Sequence, residues 1–278
     1  MGSQGGDVPR RYEAAPRPIW QELLVGVEMA YLHISPVYWG LGVPHGDGSP
    51  VVVVPGFLGT DLYLAEFRSW LRRIGYKPYQ SRIGLNADCP NLVIKYRLTA
   101  TIEKAFEAHK EKVHVIGHSL GGVLARAVAS QMSGMVASVI TLGSPFQGVV
   151  AHPTVMHLAQ LVRDQIHERH GKGVLPSCYT AACTCRFLES LAGRFPKSIK
   201  QTAVYTESDG IVDWQVCRTG DPSVDFEVAA THIGMVFNPT VFHIVAHRLA
   251  GKWPPGYDEP PVKRAHTASN NHSRPNSR

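Results

Sequence analysis

Ser119 lies in a stretch whose residue types and order could perform acyl transfer. An apolar, β-branched run, Val113-His114-Val115-Ile116, enters Gly117-His118-Ser119-Leu120-Gly121-Gly122, and a helical pattern follows at once. A serine on such a sharp strand-to-helix turn has its hydroxyl lifted clear of the strand end. Glycines on either side let backbones approach where a Cβ would clash, and the free N–H groups of the helix start favour negative charge there. A serine so placed is suited to attack a carbonyl carbon. By itself the pentapeptide also fits an ordinary glycine turn. The chemical reading needs three further parts in a set chain order: an oxyanion loop upstream, then an acid and a histidine downstream.

Each part has a candidate. Upstream, Val51-Val52-Val53-Val54 ends in Pro55-Gly56-Phe57-Leu58-Gly59. At this strand-to-loop position the Phe57 N–H would serve as one oxyanion donor and the Leu120 N–H, beside the nucleophile, as the other. Downstream, Thr202–Thr206 reads as a strand and is followed by Glu207-Ser208-Asp209-Gly210-Ile211-Val212-Asp213. An acid on this loop can hold a histidine's tautomer and stabilise its imidazolium. Asp209 is the first choice, Asp213 a rival and Glu207 a weaker one. The last strand, 226–230, exits through Thr231-His232-Ile233-Gly234, and position rather than residue type selects His232 from fourteen histidines. His243 and His247 fall in a helical run (Val241 to Leu249), and His118 is expected to point away from the nucleophile.

These groups need a parallel sheet to bring them together. A continuous valine run fits a strand buried on both faces. Strand signals at 77–81 and 136–142, with helical patterns at 62–74, 101–109 and 120–132, predict an α/β fold: a mostly parallel sheet with helices on both faces. Asp61 is read as the cap of the helix that begins at Leu62. Between Pro145 and Pro196 the periodicity weakens, and Val155, Met156, Leu158, Leu161 and Val162 could form one apolar helix face. His167 and His170 in the same stretch are read as solvated polar positions.

The residues resemble the α/β-hydrolase superfamily and, within it, the bacterial lipase-like esterases. The resemblance rests on Pro55-Gly56-Phe57, Gly117-His118-Ser119-Leu120-Gly121-Gly122, Thr141-Leu142-Gly143-Ser144-Pro145, Asp209-Gly210-Ile211-Val212 and Thr231-His232-Ile233-Gly234, spread over about residues 50–250. It implies Ser119 as nucleophile, His232 as base, Asp209 as acid, Phe57 and Leu120 as oxyanion donors, a lid over residues 146–196, and an apolar acyl ester as substrate, with no cofactor or metal. A thioesterase or an acyltransferase could use the same groups, and a silent binding module could use the same scaffold. One departure stands out: Pro-Gly replaces the His-Gly of many lipases and removes a side chain that often braces the oxyanion loop.

The chain has 278 residues and a formal charge of +6, which suits one α/β domain over residues 19–253. About half of the positive excess falls after Gly251, and no aromatic-and-basic pattern points to nucleic acid. Residues 1–18 and 254–278 are expected to be flexible. No apolar signal core is seen at the start, so a cytoplasmic protein with reduced thiols is expected. Trp20, Leu23, Leu24, Val27 and Tyr31 recur at helical spacing and predict a helix packed on the body by that face. A lipid-surface contact is the alternative. Glu22, Glu28 and His33 argue against a membrane span. Of the five cysteines, Cys178, Cys183 and Cys185 cluster, and a bridge from them to Cys217 would pin the Asp209 loop. Cys-x-Cys without a second spaced pair is a poor zinc site. Oligomeric state cannot be read from the sequence.

Overall fold

The four valines expected to form a doubly buried strand are all shielded from solvent. Val51 and Val53 pack into one apolar cluster and Val52 and Val54 into another. This is the period-2 alternation of a strand with helices on both sides. The computed structural model describes residues 19–148, 150–171, 174 and 184–259. Residues 1–18, most of the tail, Cys178 and Cys183 lie outside them. The strands β1 (Pro50–Val54), β2 (Lys77–Gln80), β3 (Val113–His118), β4 (Val136–Leu142), β5 (Lys200–Tyr205) and β6 (Asp225–Glu227) form a six-stranded sheet in the order β2-β1-β3-β4-β5-β6. Every neighbouring pair is parallel.

Helices α1 (Val25–Ile34), α2 (Ala65–Arg73), α3 (Pro90–Val93), α4 (Thr99–His109), α5 (Leu120–Gln131), α6 (Pro153–His170), α7 (Arg186–Ala192) and α8 (Pro239–Leu249) complete the described fold. Phe67 and Trp70 of α2 pack edge-on and tilted against Phe242 of α8, with ring centroids 4.9 and 4.4 Å apart, over one face of the sheet. Helices α4 and α5 cover the other. Full burial of each such side chain contributes about 1.5–3 kcal/mol, so these layers fix the strand ends where the candidate groups sit. α6 and α7 lie between β4 and β5 in sequence, the interval expected to hold a lid.

Four local expectations are corrected. The N-terminal segment is helical, but its faces are reversed. Trp20, Leu23, Val27 and Tyr31 are 61, 82, 66 and 60% exposed, Leu24 is also exposed, and Glu22 is buried. The reason is polar: Glu22 and Glu28 bond to the backbone of residues 231–233 and set the rotation of the segment. Asp61 does not cap a helix. Its carboxylate accepts from the Ser81 N–H and hydroxyl (both 2.8 Å) and the Arg82 N–H (3.0 Å), tying the approach to α2 to the end of β2. Cys217 is a buried thiol rather than half of a bridge, and its S–H donates to the Asp213 carbonyl at 3.7 Å. His170 is likewise bonded rather than merely solvated, at 2.8 Å from Asp88, and fastens the end of α6 to the loop before α3.

Candidate active site

Ser119 joins β3 to α5 with φ 53° and ψ −127°, a region that an L-residue occupies only where its surroundings hold it. The surroundings are tight. A Cβ on Gly117 would collide with the Gly121 carbonyl, and one on Gly121 with the Val54 and Pro55 carbonyls. Both glycines are therefore required by close approach of backbones. The Ser119 hydroxyl bonds to no group among the described residues and borders a cavity of about 1720 Å³.

The loop after β1 reaches the same cavity. Its N–H groups at Gly56, Leu58 and Gly59 are bonded to the Tyr63 hydroxyl and to the carbonyls of Asn86 and Gly56. The Phe57 N–H between them has no partner among the described residues. Nor has the Leu120 N–H, at the first turn of α5, where helix donors are intrinsically orphaned. Both residues line the cavity with Ser119. Two free donors beside the hydroxyl form a suitable place for an oxyanion.

Asp209 follows β5 and is buried. Its Oδ1 accepts from the N–H groups of Ile211 and Val212 at 2.9 and 2.8 Å, and its Oδ2 lies 2.6 Å from His232 Nδ1. A carboxylate so held directs Nδ1–H toward itself and leaves Nε2 as the basic nitrogen. Burial lowers the pKa of His232, but the charge and hydrogen bond of Asp209, helped by the charge of Glu22, outweigh it, so the net shift is upward. His232 lines the cavity that Ser119 borders. The rival acids are used elsewhere: Asp213 accepts from the Gln215 N–H at 2.9 Å, and Glu207 is exposed. His247 sits in α8 and bonds its own helix.

Three residues at the site were not found by sequence reasoning. Tyr63 braces the oxyanion loop in place of the side chain that Pro-Gly removes. Its hydroxyl accepts from the Gly56 N–H at 3.0 Å and donates to His118 Nδ1 at 2.7 Å. His118 Nε2–H then donates to the His232 carbonyl at 2.9 Å. So His118 makes no bond to the nucleophile, but instead of pointing away from the site it lines the same cavity and links the oxyanion loop to the histidine loop. Complete burial, then the neighbouring His232, pushes its pKa down to about 3, so it stays neutral. Asn86 holds the same loop, donating its side-chain N–H to the Pro55 carbonyl at 2.8 Å. The aromatic and amide at these offsets carry no local signature. Among the described residues no cluster of three His, Cys, Asp or Glu could hold a metal ion.

The chain also resembles known proteins. A family profile described as palmitoyl protein thioesterase matches residues 50–208, more than half of the chain. The chain belongs to this family. Two curated relatives, both triacylglycerol lipases, are 34% identical to it over 107 residues, one from Pseudarthrobacter phenanthrenivorans and one from Burkholderia plantarii. The match covers 36% of this chain and 34% and 30% of those proteins, so it spans about a third of their length. Among solved structures, a Bacillus licheniformis lipase in mature form superposes with a TM-score of 0.51 at 18% identity, over 75% of this chain and 94% of that one. That likeness is one of fold. This family member has the α/β-hydrolase fold and is lipase-like in sequence.

Proposed function

We propose that the protein is a serine acyl hydrolase that cleaves apolar, long-chain acyl esters. The observation that carries this reading is the cavity on which Ser119, the Asp209–His232 pair and the free N–H groups of Phe57 and Leu120 converge. In the proposed reaction His232 Nε2 takes the Ser119 proton as the oxygen attacks the carbonyl carbon. The Phe57 and Leu120 N–H groups stabilise the oxyanion. His232 then protonates the leaving alcohol, and water repeats the sequence to release the acid and free Ser119. The cavity exceeds the roughly 300–1,000 Å³ of sites for drug-sized ligands. Val155, Met156, Val162 and Ile166 of α6 give it an apolar wall. Both features suit a long acyl chain.

The family profile favours a second reading, in which the scissile bond is a thioester. Paired substrates separate the two: butyryl and palmitoyl nitrophenyl esters against butyryl and palmitoyl thioesters. The expected result is a higher kcat/KM for palmitoyl than for butyryl, with the ester ahead. Thioester ahead at both lengths would favour the second reading, and a preference for butyryl would reject the long-chain assignment.

The substrate reading extends to the surface where such esters are met. From Ile19 to Val43 the only Asp, Glu, Lys or Arg residues are Glu22 and Glu28, and both are bound to residues 231–233. The outward face of residues 19–31 therefore carries no Asp, Glu, Lys or Arg of its own and presents Trp20, Leu23, Val27 and Tyr31. Exposed patches of this kind mark interaction sites, and Trp and Tyr favour the border between lipid and water. Val25 and Met29 continue the face into the cavity wall. We assign it to a lipid surface. Sedimentation with phosphatidylcholine vesicles should carry the protein down. A Leu23→Asp, Val27→Asp variant should stay in solution and still turn over a soluble short ester. Equal vesicle binding by the variant, or a dimer of the parent that the variant abolishes, would overturn the assignment.

A further inference from the structure

Three carboxylates surround His232, and only one belongs to the proposed catalytic set. Glu22 reaches it from residues 19–24 and Glu28 from α1, some two hundred positions away in the chain. Glu22 Oε1 accepts from the His232 N–H at 3.1 Å and Oε2 from the Ile233 N–H at 2.8 Å. Glu28 Oε1 accepts from the Thr231 N–H at 2.9 Å and Oε2 from its hydroxyl at 2.7 Å. The Thr231 hydroxyl in turn accepts from the Gly234 N–H at 3.0 Å. Four consecutive N–H groups at the start of a short 3-10 helix (Ile233–Phe237) are thus held from one side. The fit is close: a Cβ on Gly234 would strike the Glu28 carboxylate.

Burying a carboxylate is costly unless it is paired. Glu22 is only 6% exposed, and among the described residues neither it, Glu28 nor Asp209 is ion-paired to a lysine or arginine. The backbone donors and the positive end of the 3-10 turn offset part of that cost. Among the described residues, the cationic group on which the charge of Glu22 acts is the imidazolium of His232 itself. The other titratable ring against it, His118, has its centroid 4.9 Å away and is neutral.

We infer that Glu22 is a positioning residue of the active site, which fixes the backbone of His232 and supplies the second negative charge felt by its imidazolium. The inference rests on the serine-hydrolase reading. Its charge acts in the same direction as that of Asp209, raising the pKa of His232. The face of the N-terminal segment opposite its apolar surface is thus part of the catalytic apparatus rather than simply a means of attachment.

The test follows the pH dependence of fluorophosphonate labelling and of soluble-ester kcat/KM in the parent, Glu22→Gln, Glu22→Asp and Glu28→Gln. The acid limb reports the pKa of the free enzyme's base. Glu22→Gln keeps shape but loses charge, so the limb should move to lower pH. Glu22→Asp keeps the charge with shorter reach. Its limb should stay near the parent's while kcat falls about 10–100-fold at unchanged KM, as expected for a misplaced catalytic group. Glu28→Gln, which holds Thr231, should leave the limb in place. Identical limbs in Glu22→Gln and the parent would overturn the inference. If Glu22→Gln does not fold, a shifted limb in Glu22→Asp would do so. A parent that takes no fluorophosphonate label would instead reject the serine-hydrolase reading beneath it.

Discussion

Ser119→Ala should abolish fluorophosphonate labelling and reduce ester turnover by up to about 10⁶-fold, the scale seen when the nucleophile of a serine hydrolase is removed. The fold should survive. The Ser119 hydroxyl bonds to no group among the described residues, and alanine keeps the Cβ that the turn already accommodates, so neither a hydrogen bond nor packing is lost. The near-ultraviolet circular dichroism and Tm of the variant should match the parent within error. The labelling experiment also separates an enzyme from a silent module on the same scaffold. A module would leave the parent unlabelled, whereas an enzyme using another nucleophile would leave Ser119→Ala labelled and active. Either result would remove the assignment of Ser119.

The parts of this site that were legible in sequence are those specified by adjacent residues. Glycines flank Ser119 because β3, α5 and the end of β1 approach within backbone contact, and that requirement is local enough to appear as a pentapeptide. The same holds for the valine run of β1 and for Asp209, whose following residues donate their N–H groups back to it. The N-terminal segment was misread because periodicity reports which residues are apolar, not which way they face. Trp20, Leu23, Leu24, Val27 and Tyr31 do share a stripe, but the rotation of the segment is set by Glu22 and Glu28 finding N–H groups in a loop about two hundred residues away. Tyr63, His118 and Asn86 escaped for the same reason. Each acts through a partner brought near by sheet order: Tyr63 meets His118 because β1 and β3 are neighbours although α2, β2, α3 and α4 lie between them in sequence, and Asn86 meets Pro55 because β2 lies beside β1. Asp61 looked like a cap by its offset from Leu62, yet its partners at Ser81 and Arg82 come from the next strand's exit.

Replacing Asp209 by asparagine should have the second-largest effect. Asparagine retains an oxygen for the Ile211 and Val212 N–H groups, so the loop should keep its shape. What changes is the group facing His232 Nδ1 at 2.6 Å. A carboxylate accepts there and stabilises positive charge on the ring. An amide can present N–H instead, which selects the tautomer with its proton on Nε2, where the Ser119 proton must go. The comparable substitution in a serine protease lowers kcat by about 10⁴ with geometry intact, and a loss of roughly 10³–10⁴ is expected here. The pH profile gives the sign independently. In the parent, burial depresses the His232 pKa, but the Asp209 charge and hydrogen bond, with Glu22, carry it above its ordinary value. The base is then protonated, and activity lost, as pH falls through that raised pKa. Without the Asp209 charge, burial has less to oppose it, and the acid limb of kcat/KM must move to lower pH even as the plateau falls. A variant with a lowered plateau and an unmoved limb would mean that Asp209 acts only on the shape of its loop. A variant with neither change would transfer the role of acid to another residue.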